Sequence, residues 1–447
     1  MRITGATRFT GDYVATGITS YRYRRKTGGE WQALGDYDSR SGDGFNPVAV
    51  DPDLDRAYGY RRKDGRIALF ARALDGSNRE ELVFAHPEVD VGDLIRIGRK
   101  RRVVGVTYTT DVTAAQYFDA GLSRLRDSLS HALPGEPAIG FAGASDDEQR
   151  LLVTASSDVD PGTLFLLDRG AKKLQPLLRL YPGLADKKLA NVRHVFVTAG
   201  DGTRVPAYLT LPVGSTGKGL PALVMPHGGP SARDEWGFDW LAQYFVHQGF
   251  AVLQPNYRGS AGYGDAWLRE NGFKSWRTAI GDVVDSGRWL VAEGIADPDR
   301  LAIFGWSYGG YAALQSGVVA PGLFKAIVAV APVTDFATLK AQYARSTAAR
   351  LARFEIGSGP HVDQGSPYRN AGAITVPVQL FHGTLDQNVD VVQSRMMADA
   401  LKDKGRPAEL HLYPGLAHAL ADGAVRADML TRSEAFIRAA FKAPPPR

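Results

Sequence analysis

The chain has 447 residues, 44% of them hydrophobic and 23% charged, with a formal net charge of +5. That balance is ordinary for a globular chain with ample core material, and a charge so small and dispersed argues against nucleic-acid binding. The chain has no cysteine, which excludes disulfides, thiolate metal sites and a cysteine nucleophile together. The opening residues lack the apolar core of a signal peptide and no run of 18 apolar residues occurs, so the chain reads as soluble, membrane-free and, by default, cytoplasmic. The Pro-rich end, Ala443 to Pro446, is expected to be disordered.

From residue 1 to about 190 the chain alternates short β-type runs with turn chemistry. Tyr21-Arg22-Tyr23-Arg24, Ala57-Tyr58-Gly59-Tyr60, Ile67-Ala68-Leu69-Phe70, Val103 to Tyr108 and Leu151 to Thr154 are such runs. Between them stand Gly28-Gly29, Asp64-Gly65 and Asp75-Gly76, residues that accept the positive φ of tight hairpins. Two units look alike, Ala57 to Leu74 and Arg150 to Asp168, each a strand, a turn and a strand. Blades of ~40–50 residues place about four in this length, a propeller-like reading with a β-sandwich as the alternative. One patch has a helical period, with Leu122, Leu125, Leu129 and Leu133 on one face. Arg99 to Arg102 is read as a solvated strand end or turn, and Glu80-Glu81 as a solvated turn.

Near Asn191 the pattern changes to alternating strands and helices. Apolar strands are expected at Pro221 to Met225, Ala251 to Gln254, Leu301 to Phe304, Ala326 to Val330, Val376 to Phe381 and Ala408 to Leu412. Helices are expected at Trp236 to Gly249 and Val283 to Glu293, among others. This is the βα series of a mostly parallel, doubly wound sheet, whose ligands sit at the carboxyl ends of the strands.

Gly305-Trp306-Ser307-Tyr308-Gly309 follows one of these strands and reads as a nucleophile elbow. Such a motif arises roughly 0.3 times by chance in a chain this rich in glycine, so its context decides. Asp386 and His418 each lie just past a later strand, in the order Ser, acid, His of an α/β-hydrolase. A serine hydroxyl needs an imidazole to take its proton, and the imidazole needs a carboxylate to orient it. His382 is read as turn-stabilising, His411 as a strand residue and Asp390 as the cap of a helix from Val391 to Leu401. His227-Gly228-Gly229-Pro230 follows the strand that should supply an oxyanion loop, with the backbone N–H of Tyr308 as second donor. The Gly-rich loop Asn256 to Gly264 lacks the phosphate-cradling pattern and is read as shaping the rim, with Arg258 anchored by a carboxylate. No metal-ligand spacing occurs, and neither metal nor cofactor is expected.

Together the motifs resemble those of the prolyl oligopeptidase family of serine peptidases, most closely its acylaminoacyl-peptidase-like branch. They are His227 to Pro230, Asn256-Tyr257-Arg258-Gly259-Ser260 with Gly262-Tyr263-Gly264, Gly305 to Tyr311, the His382 to Asp386 segment and the ending at His418. The resemblance implies an α/β-hydrolase domain over residues 191–442, preceded by a partial β-propeller-like domain over 1–190. It implies Ser307, Asp386 and His418 as the triad and Gly229 with Tyr308 as backbone oxyanion donors. Trp306, Tyr257 and Arg258 are expected to contact substrate. Cleavage of peptide or acyl-peptide bonds is the implied activity, with a carboxylesterase on small acyl esters as the alternative. The family's propellers have seven or eight blades, so the chain reads as a fragment or as a form with an open cap. Homo-oligomerisation is left open.

Overall fold

Asp64 and Gly65 both take positive φ, 51° and 73°, and close a two-residue turn in which Lys63 pairs with Arg66. Asx chemistry sets the next turn, where Asp75 Oδ1 accepts from the Ser77 N–H at 2.8 Å and Gly76 has φ 101°. Such turns force consecutive strands into antiparallel neighbours. In the computed structural model, which describes residues 2–3, 6–14, 17–269, 272–346, 348–406 and 408–442, the chain forms two compact units. One is Met1–Lys188 with Gly262–Asp265; the other is Leu189–Ala261 with Ala266–Arg447. The Pro-rich end lies outside the described residues.

Among its described residues the first unit holds four blade-like antiparallel sheets, three of four strands and one of three, besides a two-stranded ribbon. Each four-stranded sheet meanders in chain order, as in Asn46–Asp51, Arg56–Lys63, Arg66–Ala73 and Glu80–Phe84. The helix Ala120–Ala132 is capped by Asp119, whose side chain accepts from the Gly121 and Leu122 N–H groups, and it buries Leu122 and Leu129. Arg99 to Arg101 lie in the turn before the strand Arg102–Thr109, Arg99 pairing with Asp146 and Lys100 with Asp53. Glu80 and Glu81 prove to be strand residues, Glu80 held by Arg61 and Arg72 and Glu81 by Arg56. Cross-strand arginines, invisible to a local reading, draw the acids into the sheet.

The second unit is built on an eight-stranded sheet. Its strands are β1 Val192–Thr198, β2 Arg204–Thr210, β3 Leu220–Val224, β4 Ala251–Pro255, β5 Ala296–Trp306, β6 Ile327–Val330, β7 Val378–Gly383 and β8 Ala408–Tyr413. Their spatial order is β1-β2-β4-β3-β5-β6-β7-β8, antiparallel at β1-β2-β4 and parallel from β4 onward. From β3 the chain moves to one side to lay down β4 and to the other for β5. The carboxyl ends of β3 and β5 therefore flank a topological switch point, where loops diverge and leave a crevice.

Side chains alternate across the sheet. Ile303, Ala329 and Leu380 face one buried layer, with helices α2 Trp276–Ala292 and α3 Tyr308–Val319. Phe304, Val328 and Phe381 face the other, with α1 Trp240–His247 and α7 Gly423–Lys442. Helix α1 starts later than its apolar period suggests because Asp239 accepts from the Leu241 and Ala242 N–H groups and fixes the start at Trp240. Helix α2 starts seven residues before Val283: Trp276, Ala279, Ile280, Val283 and Leu290 form one buried face, which Gly281 and Asp282 disguise in the sequence. No described helix is long and apolar enough to cross a membrane.

Phe304 is fully buried in the second layer against Phe245. Phe304→Ala is expected to destabilise this unit by about 3–5 kcal/mol in urea unfolding. A loss below about 1 kcal/mol would show that this layer is loosely packed.

Candidate active site

Ser307 joins β5 to α3 with φ 60° and ψ −121°, a conformation that L-residues adopt only when their surroundings impose it. Its neighbours impose it by close approach. A Cβ on Gly305 would stand 2.0 Å from the Gly309 carbonyl oxygen, and one on Gly309 would stand 2.1 Å from that of Pro226. Only glycine fits at either place. The Ser307 N–H donates to the Val330 carbonyl at 2.8 Å and its own carbonyl accepts from Tyr311 N at 3.0 Å, so the turn is held on both the strand and the helix side.

Beyond β3, Gly228 and Gly229 line the same cavity as Ser307, Tyr308 and His418. A Cβ on Gly228 would approach Ser307 Cβ to 3.4 Å, and Gly229 has φ 121°. His227 braces this loop. Its Nε2 lies 2.7 Å from Ser260 Oγ, its carbonyl accepts from Tyr257 Oη at 2.9 Å, and its ring stacks on Tyr257 with centroids 4.4 Å apart. Burial pushes the His227 pKa down to about 4, so the ring is neutral near pH 7.

Asp386 and His418 meet from the loops after β7 and β8. His418 Nδ1 is 2.6 Å from Asp386 Oδ2, while Asp386 Oδ1 accepts from the Asn388 and Val389 N–H groups at 2.8 and 3.0 Å. His382 is buried in the same loop, 3.2 Å from Asp386 Oδ2, 2.7 Å from Ser394 Oγ and 2.9 Å from the Val389 carbonyl. Burial alone would raise the Asp386 pKa, but the hydrogen bonds from His382, His418 and Val389 outweigh it and hold the carboxyl well below its ordinary value. Asp390 stands apart, accepting from the Val392 N–H at the start of α6 Val392–Asp403. With Nδ1 engaged by the acid, Nε2 is the nitrogen of His418 left for proton transfer.

Three residues expected to contact substrate are placed elsewhere. Among the described residues lining the cavity, Trp306, Tyr257 and Arg258 are absent. Trp306 donates its indole N–H to the His418 carbonyl at 3.0 Å, and Tyr257 is fully buried beneath the His227 loop. Arg258 is committed to carboxylates, with Nη2 2.7 Å from the buried Asp282, Nε 3.0 Å from the same group and Nη1 2.5 Å from Asp201. The anchoring carboxylate expected for Arg258 is thus Asp282. The cavity measures about 580 Å³ and is walled instead by Phe273, Val333, Leu339, Tyr343, Ile356 and Val389. Four of these, Val333, Leu339, Tyr343 and Ile356, lie between β6 and β7, Leu339 in α4 Phe336–Gln342 and Ile356 in α5 Ala349–Ile356. Their position after a strand's carboxyl end was the available signal; nothing in their residue types sets them apart.

The prolyl oligopeptidase family model matches residues 236–444. That part of the chain is similar to the prolyl oligopeptidase family. Dipeptidyl aminopeptidase BIII of Pseudoxanthomonas mexicana is 28% identical over 419 residues, covering 89% of this chain and 60% of that protein. Dipeptidyl peptidase family member 6 of Caenorhabditis elegans is 25% identical over 390 residues, 80% of this chain and 52% of its own length. The chain thus spans between half and two thirds of these relatives. A puromycin-hydrolyzing peptidase of Mycobacterium tuberculosis superposes on 97% of this chain and 67% of its own, with TM-score 0.78 at 21% identity. The acylaminoacyl peptidase of Pyrococcus horikoshii covers 96% and 70% respectively, with TM-score 0.71 at 19% identity. The family match and these superpositions support one fold, a blade-bearing all-β unit followed by an α/β-hydrolase unit.

The His227 brace makes a pH prediction. Its folded pKa lies near 4 and its ordinary value is 6.5, so as pH falls between these values the unfolded chain takes a proton that the folded one refuses. Stability is therefore lost on going down through that window. The stability difference between wild type and His227→Gln is expected to shrink by about 3 kcal/mol from pH 7 to pH 4 in urea titrations. A difference that stays flat with pH would show that His227 takes up its proton in the folded protein at the same pH as in the unfolded chain.

Proposed function

We propose that this protein is a serine hydrolase that cleaves peptide or acyl-peptide bonds through an acyl-enzyme on Ser307. The reading is carried by the 2.6 Å contact between Asp386 and His418 beside a serine held at an elbow in the same cavity. His418 Nε2 takes the Ser307 proton as Oγ attacks the carbonyl carbon, and Asp386, kept ionised, stabilises the imidazolium. The backbone N–H groups of Gly229 and Tyr308 face the oxygen on which charge develops, Tyr308 adding the first turn of α3. Collapse of the tetrahedral intermediate expels the amine, protonated by His418, and leaves an ester on Ser307. Water, deprotonated by the same imidazole, then attacks that ester and restores the serine.

The names of the relatives support the amide bond as target, since they are called dipeptidyl aminopeptidases, an acylaminoacyl peptidase and a puromycin-hydrolyzing peptidase. The apolar walls support an acyl residue with a hydrocarbon side chain next to the bond cut. Turnover of short-chain esters with none of acylated amino-acid amides would move the reading to an esterase.

A fluorophosphonate probe is expected to label the wild-type chain and to leave Ser307→Ala unlabelled and inactive while its circular dichroism is unchanged. Asp386→Asn is expected to lower kcat by about 10⁴, because an amide in that place favours the wrong tautomer of His418. Full activity in Asp386→Asn would overturn the assignment of the acid.

A further inference from the structure

Helix α5 turns one face to the cavity, with Leu351, Ala352, Glu355 and Ile356 at helical spacing. Glu355 is the only carboxylate among the described residues that line the cavity, and no lysine or arginine lines it. It stands in the last turn of its helix, where the macrodipole disfavours a negative charge, so its place is not explained by helix stability. Among the described residues no ion pair within 4.0 Å engages it. The nearby cation, Lys274, instead holds its ammonium over the Phe354 ring, 4.5 Å from the centroid. Burial among the surrounding walls raises the Glu355 pKa above its ordinary value, and Lys274 offsets part of that rise.

We propose that Glu355 makes this cavity a site for a cationic amine on the acyl part of the substrate, its carbon chain lying along the apolar walls and its charged end on the carboxylate. The proposal rests on the reading that Ser307 is acylated from this cavity. Lysine and arginine combine those two properties in one side chain, and a free N-terminal ammonium offers the same charge from another direction. A charge-assisted contact with a carboxylate that no ion pair among the described residues engages favours such a group over an uncharged one of equal size.

The test uses the full-length chain and four chromogenic anilides, of lysine and of norleucine, each with a free and with an acetylated α-amine. Wild type is expected to hydrolyse a cationic member with about tenfold higher kcat/KM than its uncharged counterpart. Glu355→Gln is expected to bring that ratio close to one and Glu355→Lys to invert it, whereas Glu355→Asp keeps part of it. A ratio that follows the side chain assigns the site to lysine-type residues, and one that follows the free amine assigns it to the N-terminus. A wild-type enzyme without preference for either cation, or a preference that survives Glu355→Gln, overturns the proposal. Fluorophosphonate labelling of the same samples separates the two failures: an enzyme that is labelled but indifferent to charge refutes the role of Glu355 alone, and one that is not labelled refutes the nucleophile.

Discussion

Everything in the candidate site depends on how closely backbone can approach backbone around Ser307. Carbonyl oxygens of Gly309 and Pro226 occupy the space where side chains on Gly305 and Gly309 would project. The serine is thereby fixed at φ 60°, at the carboxyl end of β5 and the amino end of α3. Because β3 ends beside β5, the loop that follows β3 comes to Ser307 by topology, so close that a Cβ on Gly228 would stand 3.4 Å from Ser307 Cβ. The switch point, the elbow and the glycine loop are one constraint seen at three scales.

Charge is handled in opposite ways on the two sides of that serine. Asp386 is enclosed, yet it accepts enough hydrogen bonds to remain ionised, whereas His227 is enclosed and kept neutral. Between them lies an apolar bed. Tyr308 packs on Tyr257, Phe273 and Tyr311, which in turn contacts Phe336, with centroids 4.9–5.9 Å apart. The hydroxyls of Tyr308 and Tyr311 are buried with no hydrogen-bond partner among the described residues. Those two phenols are therefore held by ring packing, which resists displacement of the first turn of α3.

The sequence was informative wherever local chemistry alone dictates geometry. Asp64-Gly65 can close a hairpin without help from the rest of the chain, and a Gly-x-Ser-x-Gly run after an apolar strand can be read as a turn before any contact is known. Asp386 and His418 were legible as candidates because the βα series numbers the strands and so locates their ends. What escaped was set by distant partners. Glu80 and Glu81 are strand residues because of Arg56, Arg61 and Arg72, and Arg258 is withdrawn from the cavity by Asp201 and Asp282. The cavity walls escaped for a related reason. Val333, Leu339 and Tyr343 are ordinary core-type residues, and only the route of the chain after β6 brings them beside Ser307.

The hydrogen bond from Trp306 to the His418 carbonyl joins the residue before Ser307 directly to His418. Ser307 and His418 are 111 positions apart in sequence but line one cavity. A displacement of the loop after β8 must either carry the end of β5 with it or strand an indole donor in a half-buried place. The placement of the elbow relative to the His418 loop is thus tied by a strut inside the second unit, and errors in the placement of the two loops are shared instead of accumulated.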